Sequence, residues 1–162
     1  MSLAIRTAEP RDTPLILDFI RELAEYERAP DAVVATEAGL QELLFGAAPR
    51  VFCDIAEWDG EPAGFCLWFY NFSTWRGRHG IYLEDLFVRP RWRGHGIGKR
   101  LMALLAARCV DQGLDRMDWA VLEWNELAIG VYRGLGAQVL DDWRMCRLTG
   151  DALEALAEAS PA

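Results

Sequence analysis

Apolar positions in the first part of the chain recur at the three- and four-residue spacing of an amphipathic helix. They are Leu15, Ile16, Phe19, Ile20, Leu23 and Tyr26. The pattern follows Asp12-Thr13-Pro14, which supplies an N-cap and a proline suited to the first helical turn. We therefore predict a helix with one buried face. A second, shorter helix is predicted over residues 36–45, between the cap residue Thr36 and Gly46.

Alternating apolar and polar residues predict strands on either side of a tight turn. The predicted strands span residues 3–7, 51–58, 63–72 and 81–88. Asp59-Gly60 is typical of a two-residue hairpin turn, which would place Cys53 opposite Cys66. A four-residue turn would separate the two cysteines. We expect reduced thiols with either turn.

The last third of the chain alternates between helical and strand patterns. Helices are predicted from about residue 98 to 112, over 126–135 and from Asp151, and strands over 117–122, 137–140 and 143–148. The order predicts an α/β (α+β) fold, with a mixed, mostly antiparallel sheet of about six to seven strands and about four to five helices. We find no repeat or linker, and 162 residues are typical of a single domain, 1–162.

Composition and charge narrow the classes of function. The chain has 25 Asp and Glu against 17 Lys and Arg, which argues against a nucleic-acid or anionic-membrane partner. The N-terminus lacks the apolar core of a signal peptide, so we expect a soluble, untargeted protein. The four cysteines are scattered and there are only two histidines, so neither a zinc site nor a disulfide framework is expected.

A basic, glycine-containing stretch, VRPRWRGHGIGKR (88–100), follows the fourth predicted strand and leads into a helix. Such a turn exposes backbone N–H groups beside the positive end of a helix dipole, where phosphate binds well. The spacing fits neither a Walker A loop nor a dinucleotide fingerprint, because the glycines are Gly94, Gly96 and Gly98. From spacing alone, the stretch is either an anion-binding loop or a basic turn.

The pattern Arg93-x-x-Gly96-x-Gly98 resembles the R/Q-x-x-G-x-G/A pyrophosphate loop of the GNAT superfamily of N-acetyltransferases. Segments in the same order along nearly the whole chain resemble its spermidine/spermine subgroup, which includes thialysine acetyltransferases: IRELAEYE (20–27), YLEDLFV (82–88), RGHGIGK (93–99), EWNELAIGVYRGLGA (123–137) and WRMCRLTGDAL (143–153). The resemblance implies a GNAT fold, acetyl-CoA as cosubstrate and a homodimer. The composition adds the expectation of a cytoplasmic protein without a metal.

The resemblance also implies where acetyl-CoA binds. Two strands, 81–88 and 117–122, would splay apart to hold the pantetheine. The residues implied to contact it are Leu86, Phe87 and Val88 through their backbone, the loop residues Arg93, Gly94, His95, Gly96, Ile97, Gly98 and Lys99, and the flanking segment Asn125, Glu126, Leu127 and Ala128.

Acetyl transfer to an amine requires two proton movements. A primary amine with a pKa near ~10 is protonated at neutral pH and must lose a proton before it attacks. The resemblance implies Glu84 for this role, as base or by positioning a water. The departing thiolate needs a proton donor, for which it implies Tyr132. Taken without the resemblance, a strand Glu beside an Asp is typically a solvated or paired charge, and a tyrosine off the core face is typically structural.

The implied substrate contacts are Tyr26, Glu27, Glu84, Asp85, Asp118 and Trp119. Their carboxylates suit a small cationic amine such as a polyamine, a diamine or a thialysine- or lysine-like molecule. Two departures from the subgroup are Trp119, which is bulky beside the substrate path, and Leu135, which replaces a basic cofactor contact. The alternatives are a peptide or protein amine as acceptor, or a non-catalytic acyl-CoA sensor.

Overall fold

Five strands within residues 2–161 form one sheet, in the chain order β1-β2-β3-β4-β5. The strands are β1 (Leu3–Thr7), β2 (Phe52–Trp58), β3 (Glu61–Ser73), β4 (Arg78–Val88) and β5 (Met117–Trp119). The first four pair antiparallel, and β5 pairs parallel to β4. The computed structural model describes residues 2–161 and divides into two units, Met1–Ala120 and Val121–Ala162. The mixed, mostly antiparallel α/β architecture is confirmed.

Helices cover both faces of this sheet in the first unit. They are α1 (Thr13–Tyr26), α2 (Glu37–Phe45) and α3 (Ile97–Asp111). On one face, Phe19 of α1 stacks on Phe65 of β3 with ring centroids 5.1 Å apart, within a core that also contains Leu67 and Phe87. Because side chains alternate along a strand, the neighbours Cys66 and Trp68 point to the opposite face, where α3 packs.

A buried ion pair fixes α3 to the sheet. Asp54 of β2 is 1% exposed and accepts hydrogen bonds from Arg108 Nη1 and, at 2.6 Å, Arg108 Nη2. Trp68 Nε1 donates a further bond of 3.0 Å to the same carboxylate. A buried charge that lost this partner would be strongly destabilising, so the contact holds the helix that follows the glycine stretch in one position.

The predicted hairpin turn is confirmed, but the predicted cysteine pairing is wrong. Asp59 and Gly60 have φ values of 50° and 83°, and Trp58 pairs directly with Glu61, as a two-residue turn requires. A register shift between Ala56 and Glu57 then places Cys53 opposite Leu67. A bulge inserts one residue into one strand, which the sequence pattern does not reveal. All four cysteines are free thiols.

The second unit contains two helices, α4 (Glu126–Gly134) and α5 (Gly150–Glu158). The predicted strands at 137–140 and 143–148 are not found in the described residues, and β5 ends at Trp119 rather than at residue 122. The described sheet therefore has five strands and not six to seven. An alternating pattern forms a strand only where a neighbour supplies ladder hydrogen bonds, and no described strand pairs with these segments.

No helix among residues 2–161 combines the length and the apolar character that a membrane crossing requires.

Candidate active site

The last residues of β4 have one edge without a neighbouring strand in the described part of the chain. Pairing between β4 and β5 stops at Leu83 and Trp119, whereas β4 continues to Val88. Arg89 N donates to Ala63 O of the β3 side at 2.9 Å. Since backbone groups alternate between the two edges, those of Phe87 face β3, and those of Leu86 and Val88 face the open edge. Two of the three predicted backbone contacts are thus available to a ligand.

A β-bulge presents Glu84 at the start of this open edge. Leu67 pairs with Asp85 and Trp68 pairs with Leu83, which leaves Glu84 as the extra residue of β4. Glu84 is exposed, whereas Leu83 on the preceding position is 2% exposed. A bulge redirects a side chain out of the regular alternation. The predicted base is therefore exposed although it directly follows a buried residue of the same strand.

Three carboxylates, Glu27, Glu84 and Asp85, form what we term the acidic group. Asp85 is half-buried opposite the core residue Leu67. Burial, and then the negative charges of Glu84 and Glu27, raise the pKa of Asp85 to about 7. Burial also raises the pKa of Glu27, at the end of α1. Mutual repulsion between these groups would be relieved by a bound cation.

The glycine loop, residues 93–99, connects β4 to α3 as predicted. Gly94 and Gly96 have φ values of 81° and 77°, a region that favours glycine. Arg100 N makes the first α3 ladder bond to Gly96 O at 3.0 Å, and Gly96 supplies no side-chain cap. The amides of Ile97, Gly98 and Lys99 precede that bond. A Cβ added at Gly94 or Gly96 would meet no described atom within 4 Å, so a ligand has room to reach the backbone.

His95 stabilises the glycine loop internally. Its Nδ1 lies 2.9 Å from the carbonyl oxygen of Arg93 and 3.3 Å from that of Trp92. Because a carbonyl only accepts, Nδ1 carries the proton in these contacts. The ring also meets Trp58 of β2 edge to face, with centroids 4.8 Å apart. This aromatic anchor links the loop to the β2–β3 hairpin and is not evident from the sequence.

Arg93, the first residue of the glycine loop, and Arg89, four residues before it, have different partners. Arg93 Nε donates to Val88 O at 2.9 Å, and the guanidinium carbon lies 4.7 Å from the ring centroid of Tyr26. Arg89 instead forms an ion pair with Glu22 of α1 at 2.7 Å. Only Arg93 is therefore placed at the open edge, although the sequence gives both residues the same basic character.

The remaining predicted substrate residues of the first unit lie on β5. Asp118 accepts hydrogen bonds from Asn71 Nδ2 at 2.8 Å and is ion-paired with Arg116 at 2.7 Å. Trp119 pairs with Leu83, the residue before the bulge. Asp118 thus already has two partners, whereas Glu84 and Asp85 have no hydrogen bond to a described residue.

The predicted residues of the second unit lie at the beginning of α4. Asn125 is the N-cap, and its Oδ1 accepts a hydrogen bond of 3.2 Å from Ala128 N. Glu126 and Leu127 follow in the first turn, and Tyr132 lies one turn beyond Ala128. The cap explains why an asparagine suits this position irrespective of any ligand.

The described residues contain no group of three or more His, Cys, Asp or Glu side chains that could hold a metal ion.

Comparisons with known proteins agree with this geometry. The acetyltransferase (GNAT) family model matches residues 16–137. The chain is 42% identical over 164 residues to a thialysine N-epsilon-acetyltransferase from Bos taurus, covering 94% of this chain and 96% of that one. It is 34% identical over 197 residues to the L-ornithine N5-acetyltransferase NATA1 of Arabidopsis thaliana, covering 94% and 86%. A solved integron cassette protein from the mobile metagenome of V. cholerae superposes with a TM-score of 0.81 at 27% identity, covering 98% and 99%.

The chain belongs to the acetyltransferase (GNAT) family, and the thialysine relatives confirm the subgroup that the sequence resembles. It is accordingly an N-acetyltransferase, and enzymes of this family use acetyl-CoA as cosubstrate.

Proposed function

We propose that the protein transfers the acetyl group of acetyl-CoA directly to the primary amine of a small cationic substrate: a polyamine, a diamine or a thialysine- or lysine-like molecule. The observation that carries the proposal is the acidic group at the open edge of β4. The pKa of Asp85 is raised to about 7, first by burial and then by the negative charges of Glu84 and Glu27, and an ammonium group would neutralise this group of charges. The relatives are named for amine substrates, thialysine and L-ornithine, which belong to this chemical class.

The open edge and the glycine loop suit acetyl-CoA, which supplies the activated acetyl thioester. Leu86, Phe87 and Val88 would line the pantetheine, with Leu86 and Val88 offering backbone groups. Loop residues 93–99 would hold the pyrophosphate through the free amides of the first turn of α3 and through the positive charges of Arg93 and Lys99. The family resemblance also assigns Asn125, Glu126, Leu127 and Ala128 to binding of the cosubstrate.

Glu84 and Tyr132 would move the two protons. The exposed Glu84 carboxylate can accept a proton from the ammonium, directly or through a water molecule, and so generate the nucleophilic amine. Tyr132 would donate a proton to the thiolate of the departing CoA. The substrate would be contacted by Tyr26, Glu27, Asp85, Asp118 and Trp119. Of these, Asp118 would bind the amine least strongly, because two described residues already bind its carboxylate.

Direct transfer needs no nucleophilic side chain as an acetyl carrier. Burial raises the pKa of the Cys109 thiol, and its Sγ lies 3.7 Å from the carbonyl oxygen of Arg116. The Nδ1 of His95 is engaged by loop carbonyls. Both observations favour attack by the amine itself within a complex that contains both substrates.

A screen for CoA release with polyamines, diamines, lysine analogues and amino acids tests the proposed substrate class. We expect turnover with at least one free cationic amine. If only peptide or protein amines are acetylated, the proposed class is wrong and the peptide alternative replaces it. Absence of turnover with any acceptor, together with CoA binding, would favour a non-catalytic sensor.

Tyr132→Phe separates catalysis from binding. The phenylalanine keeps the ring but lacks the proton donor, so we expect turnover to fall by at least about tenfold while the Kd for CoA stays near the wild-type value. Steady-state kinetics and calorimetric titration with CoA measure the two quantities. Unchanged turnover would remove Tyr132 from the reaction.

We further propose, from the family resemblance, that the protein is a cytoplasmic homodimer in which residues 1–162 act as a single domain, without a nucleic-acid or membrane partner. The net charge of −8 supports the last part, because it disfavours binding to phosphate backbones and anionic lipids.

A further inference from the structure

The resemblance implies that Tyr26 contacts the amine substrate. In the structure Tyr26 also contacts Arg93, a residue of the proposed CoA site. Tyr26 is the last residue of α1 and packs against the core, which fixes the position of its ring. The guanidinium carbon of Arg93 lies 4.7 Å from the centroid of that ring. This distance is within the range of a cation–π interaction.

Two further contacts fix the guanidinium of Arg93. Its Nε donates to Val88 O at 2.9 Å, one of the backbone acceptors on the open edge of β4. The ring of Phe87 lies 5.7 Å away. The terminal amino groups of Arg93 make no hydrogen bond to any residue in the described part of the chain. Arg93 is therefore held by one edge of its guanidinium and retains free donors at the entrance to the glycine loop.

We propose that Tyr26 is a positioning residue for the cosubstrate: its ring holds the Arg93 guanidinium at the open edge of β4, where the free donors bind the CoA pyrophosphate. This inference rests on the proposed function. It distinguishes the two adjacent residues at the end of α1, since Glu27 would act on the amine alone, whereas Tyr26 would also act on CoA through Arg93.

Two substitutions distinguish the ring of Tyr26 from its hydroxyl. Tyr26→Leu removes the aromatic face, and we expect the Kd for CoA, measured by calorimetry without amine, to rise about tenfold. Tyr26→Phe keeps the face, and its Kd should stay within about twofold of the wild type. If the hydroxyl binds the amine instead, Tyr26→Phe would raise the amine KM and Tyr26→Leu would leave the CoA Kd unchanged; that result overturns the inference.

Arg93→Lys tests the same contact without disturbing the core. Lysine keeps the positive charge but loses the planar guanidinium and its bond to Val88 O. We expect CoA to bind about tenfold more weakly, and Tyr26→Leu/Arg93→Lys to be little worse than either single variant. Additive losses would show that the two side chains act independently and would overturn the proposal. If Tyr26→Leu is too unstable to assay, an unchanged Kd for CoA in Arg93→Lys would overturn it.

Acetylpantetheine provides a matched control because it lacks the pyrophosphate. Tyr26→Leu should lower kcat/KM about tenfold more with acetyl-CoA than with this truncated acetyl donor. An equal loss with both donors would mean general damage to the site and would contradict the proposal. A wild-type protein that does not bind CoA overturns the proposed function as well, whereas a wild type that binds CoA no better than Tyr26→Leu overturns this inference alone.

Discussion

The glycine loop and the acidic group lie at the two ends of the open edge of β4 and are built in opposite ways. The loop presents backbone amides, and its shape is fixed by positive φ angles and by the contact between His95 and Trp58. The acidic group presents side chains, and its character comes from burial and repulsion among Glu27, Glu84 and Asp85. The glycine loop adopts backbone angles that its glycines favour. The clustered carboxylates of the acidic group, by contrast, destabilise the folded protein when they are ionised.

This difference has a consequence for substitution. An amide remains whatever side chain its residue carries, so the loop should tolerate changes that preserve its conformation. A carboxylate is lost with a single substitution, so the acidic group should show large and chemically specific effects. Three variants test this contrast.

The largest effect is expected for Glu84→Gln. Glutamine has the same shape but cannot accept the proton of the ammonium group, so we expect kcat to fall about 100-fold, within the usual range for a lost general base. The fold should be unaffected, because Glu84 is exposed at the bulge. Steady-state kinetics with the best amine from the screen measure the change.

Glu61→Gln is the matched control for this variant. Glu61 is an exposed β3 residue that pairs with Arg91 at 2.8 Å, a surface contact that contributes little. Its kcat should equal that of the wild type. Equal kcat values for Glu84→Gln and Glu61→Gln would exclude Glu84 as the base.

The next effect, expected for Asp85→Asn, is on the stability of the fold rather than on turnover. The pKa of Asp85 is about 7 in the folded protein and near ~3.9 when unfolded. The folded state therefore binds the Asp85 proton more tightly than the unfolded state does. This proton contributes fully to the free energy of unfolding below about pH 4, and its contribution is lost as the pH rises to about 7. We expect the wild-type free energy of unfolding to fall by up to about 4 kcal/mol relative to Asp85→Asn across that range, since each pKa unit corresponds to about 1.4 kcal/mol.

Urea unfolding at several pH values measures this difference. Asp111→Asn, at an exposed position at the end of α3, makes the same chemical change and should follow the wild-type profile. Parallel profiles for the wild type and Asp85→Asn would mean that Asp85 titrates normally. The ionised carboxylate should also bind the amine better, so KM should fall as the pH rises through about 7.

The smallest effect is expected for Gly96→Ala. The methyl group has open space, so the only penalty is the positive φ of 77°, which costs an L-residue about 1 kcal/mol. We expect the Kd for CoA to rise about fivefold as the loop relaxes. Gly77→Ala, with φ of 61° and equally open space in the β3–β4 turn, should lose similar stability but bind CoA normally. Equal CoA affinity in both variants would show that the loop conformation does not limit binding.

The sequence predicts the parts of the fold that depend on local pattern. The helices at 13–26 and 97–111, the Asp59-Gly60 turn and the glycine loop all follow from residue spacing and from the conformational freedom of glycine. Non-local pairing is harder to predict. The bulge at Ala56 and Glu57 changes the partner of Cys53, and the strands at 137–140 and 143–148 need neighbours that no local pattern specifies.

The candidate site likewise has some features that the local sequence pattern predicts and others that it does not. The loop residues could be identified from glycine spacing, and the roles of Glu84 and Tyr132 came only from the family resemblance and remain predictions. The partner of each arginine could not be inferred, because Arg89 and Arg93 differ in direction rather than in chemistry. Nor does the sequence indicate that Asp118 is already bound by Asn71 and Arg116.

The buried contact between Asp54 and Arg108 has an evolutionary consequence. Loss of either partner would strand a charge inside the protein and reduce the amount of folded enzyme, without touching a residue that meets either substrate. Substrate preference can therefore change through exposed substrate contacts such as Glu27, whereas this pair can change only if both members change together.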